Sequence, residues 1–153
     1  MRVLYFSRVF LLSLEAVVLL VGLSIWINFP KEIDSVAGSM ALNEEILKYI
    51  MVLPVALAVW VFNEIRTLLQ EDKETIKILT AWPDYWKLKC HVWVALHYAV
   101  IFAVISISPW LVKSGITSGG GMMLFLISLL GQLVLSFGVY MARIRSREVL
   151  ACL

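Results

Sequence analysis

Long apolar stretches separated by short polar ones set the pattern of this chain. Residues 9–29 are apolar except for Ser13, Glu15, Ser24 and Asn28. Residues 91–112 are interrupted inside the run by His97, Ser106 and Ser108, and residues 122–142 mainly by Gln132. A hydrocarbon core about 30 Å thick needs ~20 apolar residues per helix, and each of these stretches is long enough. A further run, 49–62, is continuous but short. It reaches full length as 46–66 by taking in Ile46, Leu47 or Ile65. Pro54 lies inside it, and membrane helices tolerate proline better than soluble ones do. The pattern predicts an all-α polytopic membrane protein, with residues 1–153 as a single domain. Its four transmembrane helices would form an antiparallel bundle.

Composition agrees. Hydrophobic residues make up 61% of the 153 residues and charged residues 16%. A soluble domain is about half apolar and about a quarter charged. The net charge of +2 is too small to suggest nucleic acid. A cleavable signal is the alternative for the first stretch, with Arg2 and Arg8 as its basic start and Ser35-Val36-Ala37 as a small-residue site. The apolar run exceeds the roughly 7–15 residues of a signal core, so a retained helix is expected. Cys90 and Cys152 lack the spacing of a metal or redox motif, and Cys152 is not placed for prenylation.

Lysine and arginine positions give the orientation. With four spans, one side holds Arg2, Arg8, Arg66, Lys73, Lys77, Lys87, Lys89, Arg143, Arg145 and Arg147. The other holds Lys31, Lys48 and Lys113. Ten against three puts both termini in the cytoplasm, N-in and C-in. Glu32, Asp34, Glu44 and Glu45 fall outside. Trp26, Phe29 and Trp110 mark the outer edge. Trp82, Tyr85, Trp86, Trp93 and Tyr140 mark the inner one, at the headgroup level that aromatic rings favour. Asn43-Glu44-Glu45 could start a helix leading into the second span, and Ser118 with Gly119-Gly120-Gly121 reads as a short, flexible outer loop.

The segment 64–89 is too long for a tight helical turn of about 2–8 residues. Ile65, Leu68, Leu69, Ile76 and Leu79 recur near helical spacing, so the second helix is expected to run on into a cytoplasmic linker. Gln70-Glu71-Asp72-Lys73-Glu74 would be its solvated part. Pro83 would stop it, and Thr80 or Asp84 could cap the next helical stretch. Two readings compete: a hairpin lying on headgroups, or a docking surface for a cytoplasmic protein. The second makes Trp82, Tyr85, Trp86, Lys87 and Lys89 partner-binding candidates, together with Arg143, Arg145 and Arg147 of the basic tail.

Four intramembrane polar residues stand out. Glu15 lies about 10 Å inside the inner boundary, at 1.5 Å per residue from Arg8. An unpaired carboxylate there costs a few kcal/mol. Glu15, Leu19, Gly22 and Trp26 share a helical face, on which Gly22 permits close approach. His97 lies at similar depth, Gln132 near the midplane and Asn63 nearer the inner surface. A hydrogen bond from Glu15 to His97 or Gln132 is one arrangement to test. Ala95, Ala99, Ala103 and Ser106 form a small-residue stripe, and Ser128, Gly131, Gly138 and Ala142 form another with Gln132 at its edge. The plain reading of these polar groups is interhelical packing. The functional one is a proton or cation pathway.

No metal-binding helix motif, phosphate loop or nucleophile elbow is present, so neither an enzyme nor a cofactor is expected. His91 and His97 are six residues apart and do not share a helical face. The layout resembles the bacterial family called domain of unknown function 2975, through Leu68-Leu69-Gln70-Glu71-Asp72-Lys73 and Ala142-Arg143-Ile144-Arg145-Ser146-Arg147-Glu148. The resemblance implies a four-helix protein of the bacterial cytoplasmic (inner) membrane that partners a regulator. The expectation is a non-enzymatic membrane subunit: a regulator anchor, an accessory subunit or a toxin-immunity protein. Its partners would be the bilayer, a protein, or further copies of itself. The alternative is a small proton-linked transporter or channel using Glu15.

Overall fold

The computed structural model describes residues 2–39, 49–50, 52–69, 82–111 and 118–151, and its secondary structure there is helical, without strands. Where the pattern predicts one rod over 9–29, the chain forms α1 (Arg2–Leu11) and α2 (Leu14–Asn28), bent by 48°. Ser13 causes the break locally. Its hydroxyl donates to the Phe10 carbonyl at 3.3 Å and accepts from the Ala16 N–H at 3.1 Å. A side chain that satisfies the backbone in this way ends one helix and caps the next.

Phe29 closes α2, and α3 (Pro30–Ser39) follows at once, with proline where a first helical turn needs no N–H donor. Residues 30–39, which the four-span pattern leaves between the first two spans, are helix. Asn43-Glu44-Glu45 lie outside the described residues. α4 (Val52–Leu69) contains the buried Pro54. The linker core 70–81 is also outside the described residues. α5 (Tyr85–Leu111) begins after Trp82, Pro83 and Asp84, where the Lys87 and Leu88 N–H groups donate to the Asp84 carbonyl. α6 (Gly119–Ala151) is the longest helix described.

The glycine run 119–121, read from the sequence as a flexible loop, is instead the first turn of α6. The Asp34 carboxylate of α3 accepts from the Gly119 N–H at 3.1 Å, and the Ser118 hydroxyl accepts from the Gly121 N–H at 3.2 Å. A Cβ on Gly119 would press on the Asp34 backbone, so this cap requires glycine.

α6 is the hub. It packs against α2, α3, α4 and α5, while α5 also packs against α1 and α4. Contacts give the directions. From α2 to α6, Glu15 lies by Gly138, Gly22 by Ile127 and Trp26 by Gly120, an antiparallel register. From α5 to α6, Ala99 meets Gln132 and Phe102 meets Ser128, also antiparallel. Tyr5 meets Trp86 and Phe10 meets Tyr98, so α1 runs parallel to α5. α2 thus packs on α6, and α4 packs on both α5 and α6.

The core is driest between α5 and α6. Phe102, Leu135 and Gln132 are fully buried, with Val61 of α4 beside them in the same core. Gly131 lets the Phe102 ring lie against the α6 backbone, which any Cβ there would obstruct. Gly22 does the same for Ile127. Small residues at such crossings let helices pack closely in a membrane.

Among the described residues two helices are long and apolar enough to cross a membrane: Tyr85–Pro109 within α5 and Gly119–Glu148 within α6. The bent pair α1–α2 makes a third if it acts as one span. The remaining predicted span, 46–66, lies partly outside the described residues. Apolar side chains also cover the exterior. Leu20, Val104 and Phe137 are each more than 60% exposed. Monomeric soluble proteins rarely show extended apolar surface.

Candidate functional site

The break at Leu12–Ser13 opens a groove of about 800 Å³ between α1, α2, α5 and α6. Apolar walls come from Val9, Leu12, Leu14, Leu133, Val134 and Phe137. Its polar groups are Tyr5, Arg8, Ser13, Glu15 and His91. A recess of about 130 Å³ shares Val9, Ser13, Glu15, His91 and Gly138 with it and reaches Leu135 and Val139 of the core. The Glu15 carboxylate oxygen lies 4.0 Å from where a Cβ on Gly138 would stand. The absent side chain leaves room for the carboxylate. Tyr5 Oη and His91 Nε2 are 3.2 Å apart, and Tyr5 also packs edge-on to Trp86 at 4.9 Å between ring centroids.

The structure brings Glu15 to His91, not to His97. His97 Nδ1 lies 2.7 Å from the Trp93 carbonyl, which can only accept, so that nitrogen donates. Its ring faces Phe6 and Trp93 and is exposed on the outer surface of α5. Gln132 turns to α5 instead of Glu15, its amide donating to the Ala99 carbonyl at 2.9 Å. Gln132 Oε1 and Ser136 Oγ are buried without a hydrogen-bond partner among the described residues. The Asn63 side chain is exposed, and its carbonyl accepts from Thr67.

A second polar cluster lies at the end where α5 begins and α6 finishes. Glu64, nearly buried on α4, pairs with Arg143 of α6. Arg143 is therefore committed within the fold, while Arg145 and Arg147 are exposed. Lys87 pairs with Asp84 at 2.7 Å, Trp86 packs on Tyr5, and Lys89 is exposed. Trp82 and Tyr85 are half-buried. Ile65, Leu68, Val92 and Ser146 are buried, so the helices remain packed up to this end.

Sequence reasoning missed Tyr5, Arg8, His91 and Glu64 as site residues. Two signals point to them. His91 and Arg8 each stand at the polar flank of an apolar run, and Glu64 is an acid inside an apolar repeat with Ile65 and Leu68. Among the described residues no group of three or more His, Cys, Asp or Glu side chains is placed to hold a metal ion. The groove's chemistry is that of recognition and proton exchange: one carboxylate, one imidazole, one guanidinium and one phenol on apolar walls. No family model, no curated protein and no solved structure matches this chain.

Proposed function

We propose that this chain is a non-enzymatic integral membrane protein that binds a protein partner at its cytoplasmic end. It would have four transmembrane helices with both termini inside, in a bacterial inner membrane. The observation that carries the reading is the packed end formed by α4, α5 and α6. α6 has 33 residues, about 50 Å at 1.5 Å per residue, against a hydrocarbon core of about 30 Å. Its basic end projects from the bilayer as a rigid helix held by the Glu64–Arg143 pair. Lys89, Arg145 and Arg147 stay exposed on this platform, where the positive-inside rule places them in the cytoplasm. A regulator anchor, an accessory subunit and a toxin-immunity protein all use such a platform, and the layout resemblance noted above favours the first.

Charge reversal of Lys89, Arg145 and Arg147 to Glu tests this. The groups are exposed, so the fold should survive. Co-purification of a partner under gentle detergent extraction should be lost. Retention of the partner by the triple variant, or its absence from the unaltered protein, would contradict the proposal.

One observation favours a second reading, a proton-linked transporter: Glu15 and His91 line the same groove. Glu15→Gln should then abolish proton-coupled flux in vesicles while leaving partner binding intact. The fully buried Phe102, Leu135 and Gln132 fill the centre of the bundle and favour the binding reading.

A further inference from the structure

We infer that the α1–α2 groove is a binding site for a primary-amine phospholipid, of the phosphatidylethanolamine class. The groove opens on the apolar exterior. Leu12 and Leu14 on one wall are 72% and 71% exposed, and Phe137 on the other is 67% exposed. A groove with such walls, in a helix bundle suited to a bilayer, meets acyl chains first. Its polar end carries both signs of charge. Arg8 and Glu15 line it together, and neither forms an ion pair with another described residue. Two opposite charges left apart in one partly apolar groove fit a ligand that carries both charges itself.

A phosphoethanolamine headgroup does so. Its phosphate accepts from the Arg8 guanidinium on α1. Its ammonium donates to the Glu15 carboxylate in the space left by Gly138. Guanidinium recognises phosphate well, through several fixed donors. A quaternary choline headgroup has no N–H to donate to Glu15. A glycerol headgroup has no positive charge. The 48° bend at Leu12–Ser13 brings α1 and α2 around the same opening, which a straight helix would not do.

This inference rests on the membrane reading and not on the cytoplasmic partner, so the two fail separately. The test uses the full chain, delipidated in detergent and titrated with phosphatidylethanolamine, phosphatidylcholine or phosphatidylglycerol, with bound lipid counted by native mass spectrometry. Phosphatidylethanolamine should bind about tenfold more tightly than the other two. Arg8→Gln and Glu15→Gln should each remove that preference. Gly138→Leu should block all three lipids, whereas Gly138→Ala, for which there is space, should not. Soluble phosphoethanolamine should not bind, because it lacks the chains. Equal retention of the three lipids would overturn the inference. So would a preference for phosphatidylglycerol, or a preference for phosphatidylethanolamine that survives Glu15→Gln. Thermal unfolding of each variant without lipid separates lost binding from lost folding.

Discussion

The α5–α6 seam and the α1–α2 groove are built on opposite principles within one helix bundle. In the seam, side chains replace one another closely. Gly131 admits Phe102, Ser128 donates to the Phe102 carbonyl at 2.7 Å, and Gln132 donates to the Ala99 carbonyl. In the groove, Ser13 interrupts a helix and Gly138 withholds a side chain, so a carboxylate and a guanidinium stand in open space. The seam commits Ser128 and the Gln132 amide to structure, whereas the groove leaves Arg8 and Glu15 without an ion pair among the described residues. In a bilayer, lipid would supply no hydrophobic drive between helices, and close packing and interhelical hydrogen bonds would have to hold the seam. The groove's charges do little for stability and are free to recognise something else.

Substitutions can break this contrast, and the largest effect belongs to the seam. Phe102→Ala should destabilise the protein by about 3–5 kcal/mol, the cost of an emptied aromatic site. Gly131→Leu should destabilise it by about 1–3 kcal/mol or more, because the new side chain must displace the ring. Thermal unfolding in a fixed detergent measures both. Arg143→Met comes next, at about 1.5–3 kcal/mol, because it leaves the nearly buried Glu64 without its partner. Replacing both Glu64 and Arg143 with apolar residues should recover much of that loss, which a double-mutant cycle would reveal.

Gln132→Leu sharpens the comparison further. The amide makes one interhelical hydrogen bond, and its oxygen has no partner among the described residues. Its removal should change stability by only about 0.6 kcal/mol, in line with other interhelical hydrogen bonds in membranes. Smallest of all should be the loss at Glu15→Gln, no more than about 0.5 kcal/mol, because the amide avoids the cost of an unpaired carboxylate in a membrane. A loss above about 2 kcal/mol at Glu15, well beyond that range, would make the groove structural and erase the distinction.

Several of these features could be read from the residues. The apolar stretches over 91–112 and 122–142 give helices because nothing polar interrupts their length enough to stop them. The small-residue positions Gly22 and Gly131 signal close approach between helices, whereas Gly138, read as part of the same packing face, stands open at the groove. Other features were not legible. Ser13 counts as one polar residue in a pattern, but its effect depends on two backbone hydrogen bonds that only a folded turn shows. The glycine run 119–121 reads as a loop until Asp34, 85 residues earlier, supplies the cap. Periodicity orients His97 only relative to its own helix. That His91 lines the groove with Glu15 follows from α1 packing parallel to α5, a tertiary fact. Glu64 reads as the start of the polar segment 64–89, and its pairing with Arg143 is what ties it into the fold.

The packed basic end is proposed to lie in the cytoplasm, on the side of both termini. Single cysteines at positions 89, 145 and 31, in a background with Cys90 and Cys152 replaced by serine, test this with an impermeant thiol reagent. In sealed inverted vesicles Lys89→Cys and Arg145→Cys should label, and Lys31→Cys should not. In right-side-out vesicles the pattern should reverse. Labelling of positions 89 and 145 from opposite faces, or of all three from the same face, would contradict the account.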